Sequence, residues 1–88
     1  MKSKASEMDA KIAALRPLGE VTESAILNAV KKLGIPIAAV EHISGTNYRL
    51  SFDLDGGSSK GLNAGIAASC AVQRLVGGPV DVKFHWMK

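Results

Sequence analysis

The chain has 88 residues, 47% hydrophobic and 22% charged, a formal charge of +3 and a single cysteine. A chain of this length forms one domain that buries roughly 60–65% of its unfolded surface, and its composition excludes intrinsic disorder. One cysteine excludes an intrachain disulfide and a cysteine-based zinc cage, and no stretch reaches the ~20 apolar residues of a membrane span.

The N-terminal MKSKASEMDAK has no apolar signal-peptide core, and a small chain without a disulfide suits a reducing compartment, so the expected location is cytoplasmic. The positive charge is dispersed. Lys2, Lys4 and Lys88 lie near the ends, Lys31 and Lys32 form the one basic doublet, and acids are interleaved throughout. Polyanion binders concentrate basic residues on one face, so the charge permits nucleic-acid binding without diagnosing it.

Residues 1–5 read as a disordered N-terminus and 6–88 as a single small α+β domain. SEMDAKIAALRP predicts a short helix: Ser6 caps it, Asp9 reaches back to the cap, and Met8, Ile12 and Leu15 form one stripe. Pro17 stops it, because proline lacks the N–H and clashes with the preceding turn. VTESAILNAVKKLGIP predicts a second helix, capped by Thr22, with Val21 and Ile26 at staple spacing and Ile26, Ala29, Val30 and Leu33 as its buried stripe. Glu23 and the Lys31–Lys32 doublet match the two ends of the helix dipole. Gly34 ends the helix in the left-handed region and Pro36 prevents a restart.

IPIAAVEHI and YRLSFDLD predict two strands joined as a hairpin through SGTN, with Gly45 and Asn47 available for positive φ. In the second strand Tyr48, Leu50, Phe52 and Leu54 face one way; Arg49, Ser51, Asp53 and Asp55 face the other. SSKGLNAGIAASCAVQRLVGG predicts a helix of about sixteen residues, capped by Ser58 or Ser59 and closed by Gly77 and Gly78. Its small residues suit close packing, and only Lys60, Asn63 and Arg74 form a solid polar arc, so most of its circumference is expected to be buried. In PVDVKFHWMK, Val80, Val82, Phe84 and Trp86 point inward and Asp81, Lys83, His85 and Met87 outward. The order is therefore α-α-β-β-α-β: a two-layer sandwich with two or three helices on one face of a three-stranded sheet and a right-handed final crossover. The expected core packs Phe52, Phe84 and Trp86 against Ile26, Val30, Leu33, Ile66 and Val76.

DGGSSKG, residues 55–61, has the look of a phosphate cradle, since glycines let the backbone approach an anion at a helix N-terminus. The Lys and Ser or Thr of a Walker loop are missing after Gly61, where Leu62 and Asn63 follow, and Asp53 and Asp55 would repel a phosphate. The segment reads as a strand-to-helix turn with a serine cap. His42 and His85 lack any ligand spacing and fall on or near the polar sheet face as solvated side chains. Cys70, among alanines, reads as a small buried filler. The aromatics share a face with the aliphatics, and Arg49, Asp53, Asp81 and Lys83 look like cross-strand charge pairs on the other, which argues against a base-stacking platform.

From Val21 onward the order α–β–β–α–β resembles the type II KH-like arrangement of RNA-binding domains, over about three-quarters of the chain. KH domains clamp a nucleic-acid backbone with G-x-x-G between two helices. Here GLNAG, residues 61–65, is one residue longer and lies within one predicted helix, so the resemblance implies a fold and no binding residues.

Three function classes follow. The leading one is a non-catalytic protein-binding module (adaptor, small subunit or inhibitor) acting through a sheet edge or helix face on a protein partner or on itself as a homodimer. The alternative is a KH-like RNA- or DNA-binding module using Lys31, Lys32, Lys60 and Arg74. The last is a small enzyme, for which no grouping of nucleophile, base and oxyanion donor is visible. No cofactor, metal or small-molecule substrate is expected.

Overall fold

The computed structural model describes residues 10–87. The expected disordered stretch 1–5 and the first helix's Ser6, Met8 and Asp9 lie outside the described residues. The described chain runs α1 (residues 10–13), α2 (Glu23–Lys32), β1 (Ile37–Ser44), β2 (Asn47–Phe52), α3 (Ser59–Val76) and β3 (Asp81–Trp86). The helices pack against a mixed three-stranded sheet of order β1-β2-β3, an α+β fold with the expected element order.

α1 ends earlier than its pattern predicts. It ends at residue 13, well before Pro17, in a tightened turn where the Leu15 N–H donates to the Ile12 carbonyl at 3.0 Å. A residue before proline is biased away from the helical region, which draws the end of the helix back. What then fixes the segment is tertiary: the Leu18 N–H donates to the Leu75 carbonyl at 2.8 Å, and Ile12 is buried in the core.

α2 follows its sequence signals closely. The Thr22 hydroxyl accepts from the Ala25 N–H at 3.1 Å, satisfying one of the helix's orphan donors. Gly34 takes φ +86° just past the last turn, a conformation that glycine adopts without a Cβ penalty. Ile26 and Val30 are fully buried, Leu33 nearly so, and Ala29 only partly.

β1 and β2 pair antiparallel through Val40–Leu50, Glu41–Arg49 and His42–Tyr48, with irregularities at Ile37/Ala39 and His42/Ser44. In the hairpin loop Gly45 takes positive φ, whereas Asn47 does not and instead begins β2. β2 ends at Phe52, three residues before its alternating pattern does. It is the central strand, and its inward residues Leu50 and Phe52 are wholly excluded from solvent. β3 lies parallel to β2, with Leu50 opposite Phe84 and Phe52 opposite Trp86, so α3 forms the crossover.

α3 runs from a Ser58 cap to Gly77 at φ +89° and is slightly longer than expected. The expectation that most of its circumference is buried is wrong. Ala64, Ala68, Ala71, Val72 and Leu75 are buried, but Leu62 is 56% and Ile66 65% exposed, and Cys70 is exposed as well. A two-layer sandwich covers one side of each helix, so an alanine-rich outer side stays exposed however apolar it reads. Ile66 is therefore no core residue, and Cys70 is no buried filler. Phe84 is likewise 42% exposed instead of buried, because β3 is an edge strand with a neighbour on one side only.

Candidate functional site

The DGGSSKG segment folds into a turn closed on its own hydrogen bonds. The Asp55 carboxylate accepts from the Gly57 N–H at 2.9 Å, and the Asp55 carbonyl accepts from the Ser58 N–H at 3.1 Å and hydroxyl at 2.7 Å. The Ser58 hydroxyl in turn accepts from the Gly61 N–H at 3.0 Å. The donors that an anion would need are thus partly spent, and a carboxylate already occupies the turn. The glycines serve close approach. A Cβ on Gly56 would stand 2.6 Å from the Trp86 ring, and one on Gly61 would run into the Asp55 carbonyl oxygen. Gly61 and Gly65 of GLNAG both lie inside α3 and are buried, so no loop of the G-x-x-G kind is formed.

His42 is exposed, as expected of a solvated side chain, but lies on the face that carries Tyr48 instead of the polar one. It follows Val40 on the inner side of β1, stacks on Tyr48 with ring centroids 4.6 Å apart, and has Nε2 2.8 Å from the Gly45 carbonyl. Its backbone N–H donates to the Glu23 carboxylate at 2.7 Å. His42, Tyr48, Thr22 and Glu23 border a small depression. The Thr22 hydroxyl is engaged in capping and the Glu23 carboxylate in binding the β1 backbone, so both have structural partners. His85 is exposed on the outer sheet face. Among the described residues no three His, Cys, Asp or Glu side chains are grouped to hold a metal.

The candidate nucleic-acid residues divide. Lys31 and Lys32 occupy the last turn of α2, whereas Lys60 and Arg74 border a groove of about 690 Å³ beside α3, together with Ile12, Pro36, Ile66 and Cys70. Arg74 has a structural task there: its Nη2 donates to the Ala13 carbonyl at 2.7 Å, so it caps the end of α1. On the outer face Arg49 pairs with Glu41 at 3.2 Å and stands opposite Lys83.

The sheet's two edges are unequal. The β1 edge is blunted by its two irregularities and by the Glu23 carboxylate seated on the His42 N–H. At β3 the Asp81 N–H donates inward to the Thr46 carbonyl at 2.9 Å and the Met87 N–H to the Phe52 carbonyl at 2.9 Å. Alternation therefore turns the N–H and C=O groups of Val82, Phe84 and Trp86 away from β2. Among the described residues no strand pairs with that side.

The side chains at those same three positions are apolar and face the helices. The Phe84 ring centroid lies 5.8 Å from that of Phe52 and 5.7 Å from that of Trp86, which itself stacks on Phe52 at 4.9 Å. α3 comes close here because Gly65 has no side chain: a Cβ would stand 3.2 Å from Trp86 Cη2 and 3.6 Å from Phe84 Cζ. Leu62, one turn before Gly65 on the helix, is exposed, whereas the exposed Ile66 borders the groove with Ile12 and Pro36. An unpaired backbone edge thus carries an exposed apolar side chain, Phe84, the kind of surface that natural edge strands usually cover or charge. The sequence contained the signal in the strand alternation of VDVKFHW, but the edge position that exposes Phe84 depends on strand order. Comparison with protein-family models, with curated proteins and with solved structures finds no match.

Proposed function

We propose that this chain is a non-catalytic protein-binding module that recruits its partner by strand addition at β3. The observation that supports this most is the contrast between the edges: β1 is blunted, whereas β3 turns the backbone groups of Val82, Phe84 and Trp86 outward beside the exposed Phe84 side chain. Main-chain hydrogen bonds along such an edge supply affinity, and the exposed Phe84 beside it supplies selectivity. No helix among the described residues is long and apolar enough to cross a membrane. An exposed thiol at Cys70 suits a reducing, cytoplasmic setting.

The nucleic-acid alternative has less support, because Arg74 is engaged on Ala13 and the Lys31–Lys32 doublet lies on another helix from Lys60. The deciding experiment is amide-resolved NMR titration with a library of extended peptides, with a second copy of the chain, and with oligonucleotides. Shifts should centre on Val82, Phe84 and Trp86 and disappear in Val82→Pro, which removes an outward N–H while leaving the β2 ladder intact. Sub-micromolar oligonucleotide binding centred on Lys31 and Lys32, abolished by changing both to Gln, would overturn the reading in favour of the KH-like one.

A further inference from the structure

We infer that the strand added at β3 is β3 of a second copy, antiparallel about a two-fold axis at Phe84, joining two sheets into one of six strands. This rests on the reading of β3 as the binding edge and adds the partner and the register.

The β3 edge is self-complementary. In an antiparallel pair, residues with outward backbone groups must face each other, so the register can move only in steps of two along the sum of paired residue numbers. Centred on Phe84, each Phe84 opposes its counterpart, and Val82 opposes the partner's Trp86 on both sides of the axis. Every outward N–H and C=O of the three residues then finds a partner, and all three cross-strand pairs on the helix face are apolar.

On the outer face this register sets Lys83 against the partner's His85 and Asp81 against the partner's Met87. One step towards the N-terminus would set Lys83 against the partner's Lys83, a like-charge contact directly across the seam. A register centred on Val82 would pair Asp81 with the partner's Lys83 twice, but it leaves Phe84 and Trp86 opposite Val80 and Gly78, outside the strand. One step towards the C-terminus shortens the overlap. The register on Phe84 alone pairs Val82, Phe84 and Trp86 wholly within β3.

The helix layer agrees with this geometry. A two-fold axis normal to the sheet keeps both helix layers on one face, the face on which the exposed Phe84 side chains of the two copies meet. A seam of six-residue strands is small against the ~1,200 Å² of standard interfaces, so dimerisation should be weak, with a Kd in the micromolar range.

The test is sedimentation equilibrium of the full chain from about 1 to about 500 μM, a span that brackets such a Kd. The wild type should fit a monomer–dimer equilibrium, and Val82→Pro and Phe84→Glu should each weaken it at least about tenfold while keeping the far-UV spectrum. In a Cys70→Ser background, Phe84→Cys should form a linked dimer in a glutathione redox buffer, because a hydrogen-bonded antiparallel pair sets Cα atoms about 5.5 Å apart. Lys83→Cys should not. Linking at Lys83→Cys in preference to Phe84→Cys would overturn the register. A wild type monomeric throughout, whose β3 amides an added extended peptide protects, would overturn the second copy alone. A monomer that no peptide protects, or a dimer indifferent to both edge variants, would overturn the edge reading as well.

Discussion

Gly61→Ala sets helix propensity against packing, and the structure decides the sign. In an exposed helix the change would stabilise by about 1 kcal/mol, since glycine is the costlier helical residue. Here the added Cβ would overlap the Asp55 carbonyl oxygen and come within 3.0 Å of its carbon and 3.2 Å of the Gly56 Cα. All three are backbone atoms, so no rotamer change relieves the contact. The Asp55 oxygen accepts from both the N–H and the hydroxyl of Ser58, and displacing it weakens two hydrogen bonds of about 1 kcal/mol each. Overpacking of this kind costs about 1–3 kcal/mol, and setting the propensity gain against both terms leaves a net loss of about 2–3 kcal/mol. For a domain of this size each kcal/mol shifts Tm by about 4–8 °C, so thermal unfolding followed by far-UV circular dichroism should show a fall of at least about 8 °C. Gly78→Ala is the control: no heavy atom lies within 4 Å of its Cβ, and it should stay within about 0.5 kcal/mol of wild type. A Gly61→Ala variant as stable as wild type would refute the close approach of the turn to α3.

Two further changes probe the core and the α1 anchor. Phe52→Ala, at a fully buried site, should cost about 3–5 kcal/mol in urea unfolding, whereas the half-exposed Phe84→Ala should cost about 1–2 kcal/mol at low protein concentration; equal losses would contradict the edge position of Phe84. Arg74→Met keeps the aliphatic stem and removes the donor to Ala13, so it should cost about 1 kcal/mol and speed amide exchange at Ala14 and Leu18, with unchanged exchange there counting against the capping contact.

What the sequence disclosed and what it hid separate along physical lines. Thr22, Ser58, Gly34 and Gly77 mark helix ends through local chemistry, and all four occupy the positions their side chains or φ values predict. The alternation of Tyr48, Leu50 and Phe52 is equally local and puts them all in the core. Phe84, Ile66 and Cys70 are misjudged for a shared reason. Alternation and helical period assign a side chain to a face, but whether that face is covered depends on strand order and on the number of layers. His42 is exposed as expected, and only its face differs: its distance from Val40 sets it beside Tyr48 in a strand whose alternation is irregular. The Arg74–Ala13 contact joins residues far apart in the chain and has no local signature at all.

Hydrogen exchange read amide by amide against protein concentration tests most directly which backbone groups β3 leaves for a partner. Lys83 and His85, whose N–H groups alternation turns towards β2, should be protected at every concentration. Val82, Phe84 and Trp86 should exchange fast in dilute solution and become protected together as concentration rises through the micromolar range. Fast exchange at those three amides at all concentrations, or protection that appears first at β1, would contradict the account.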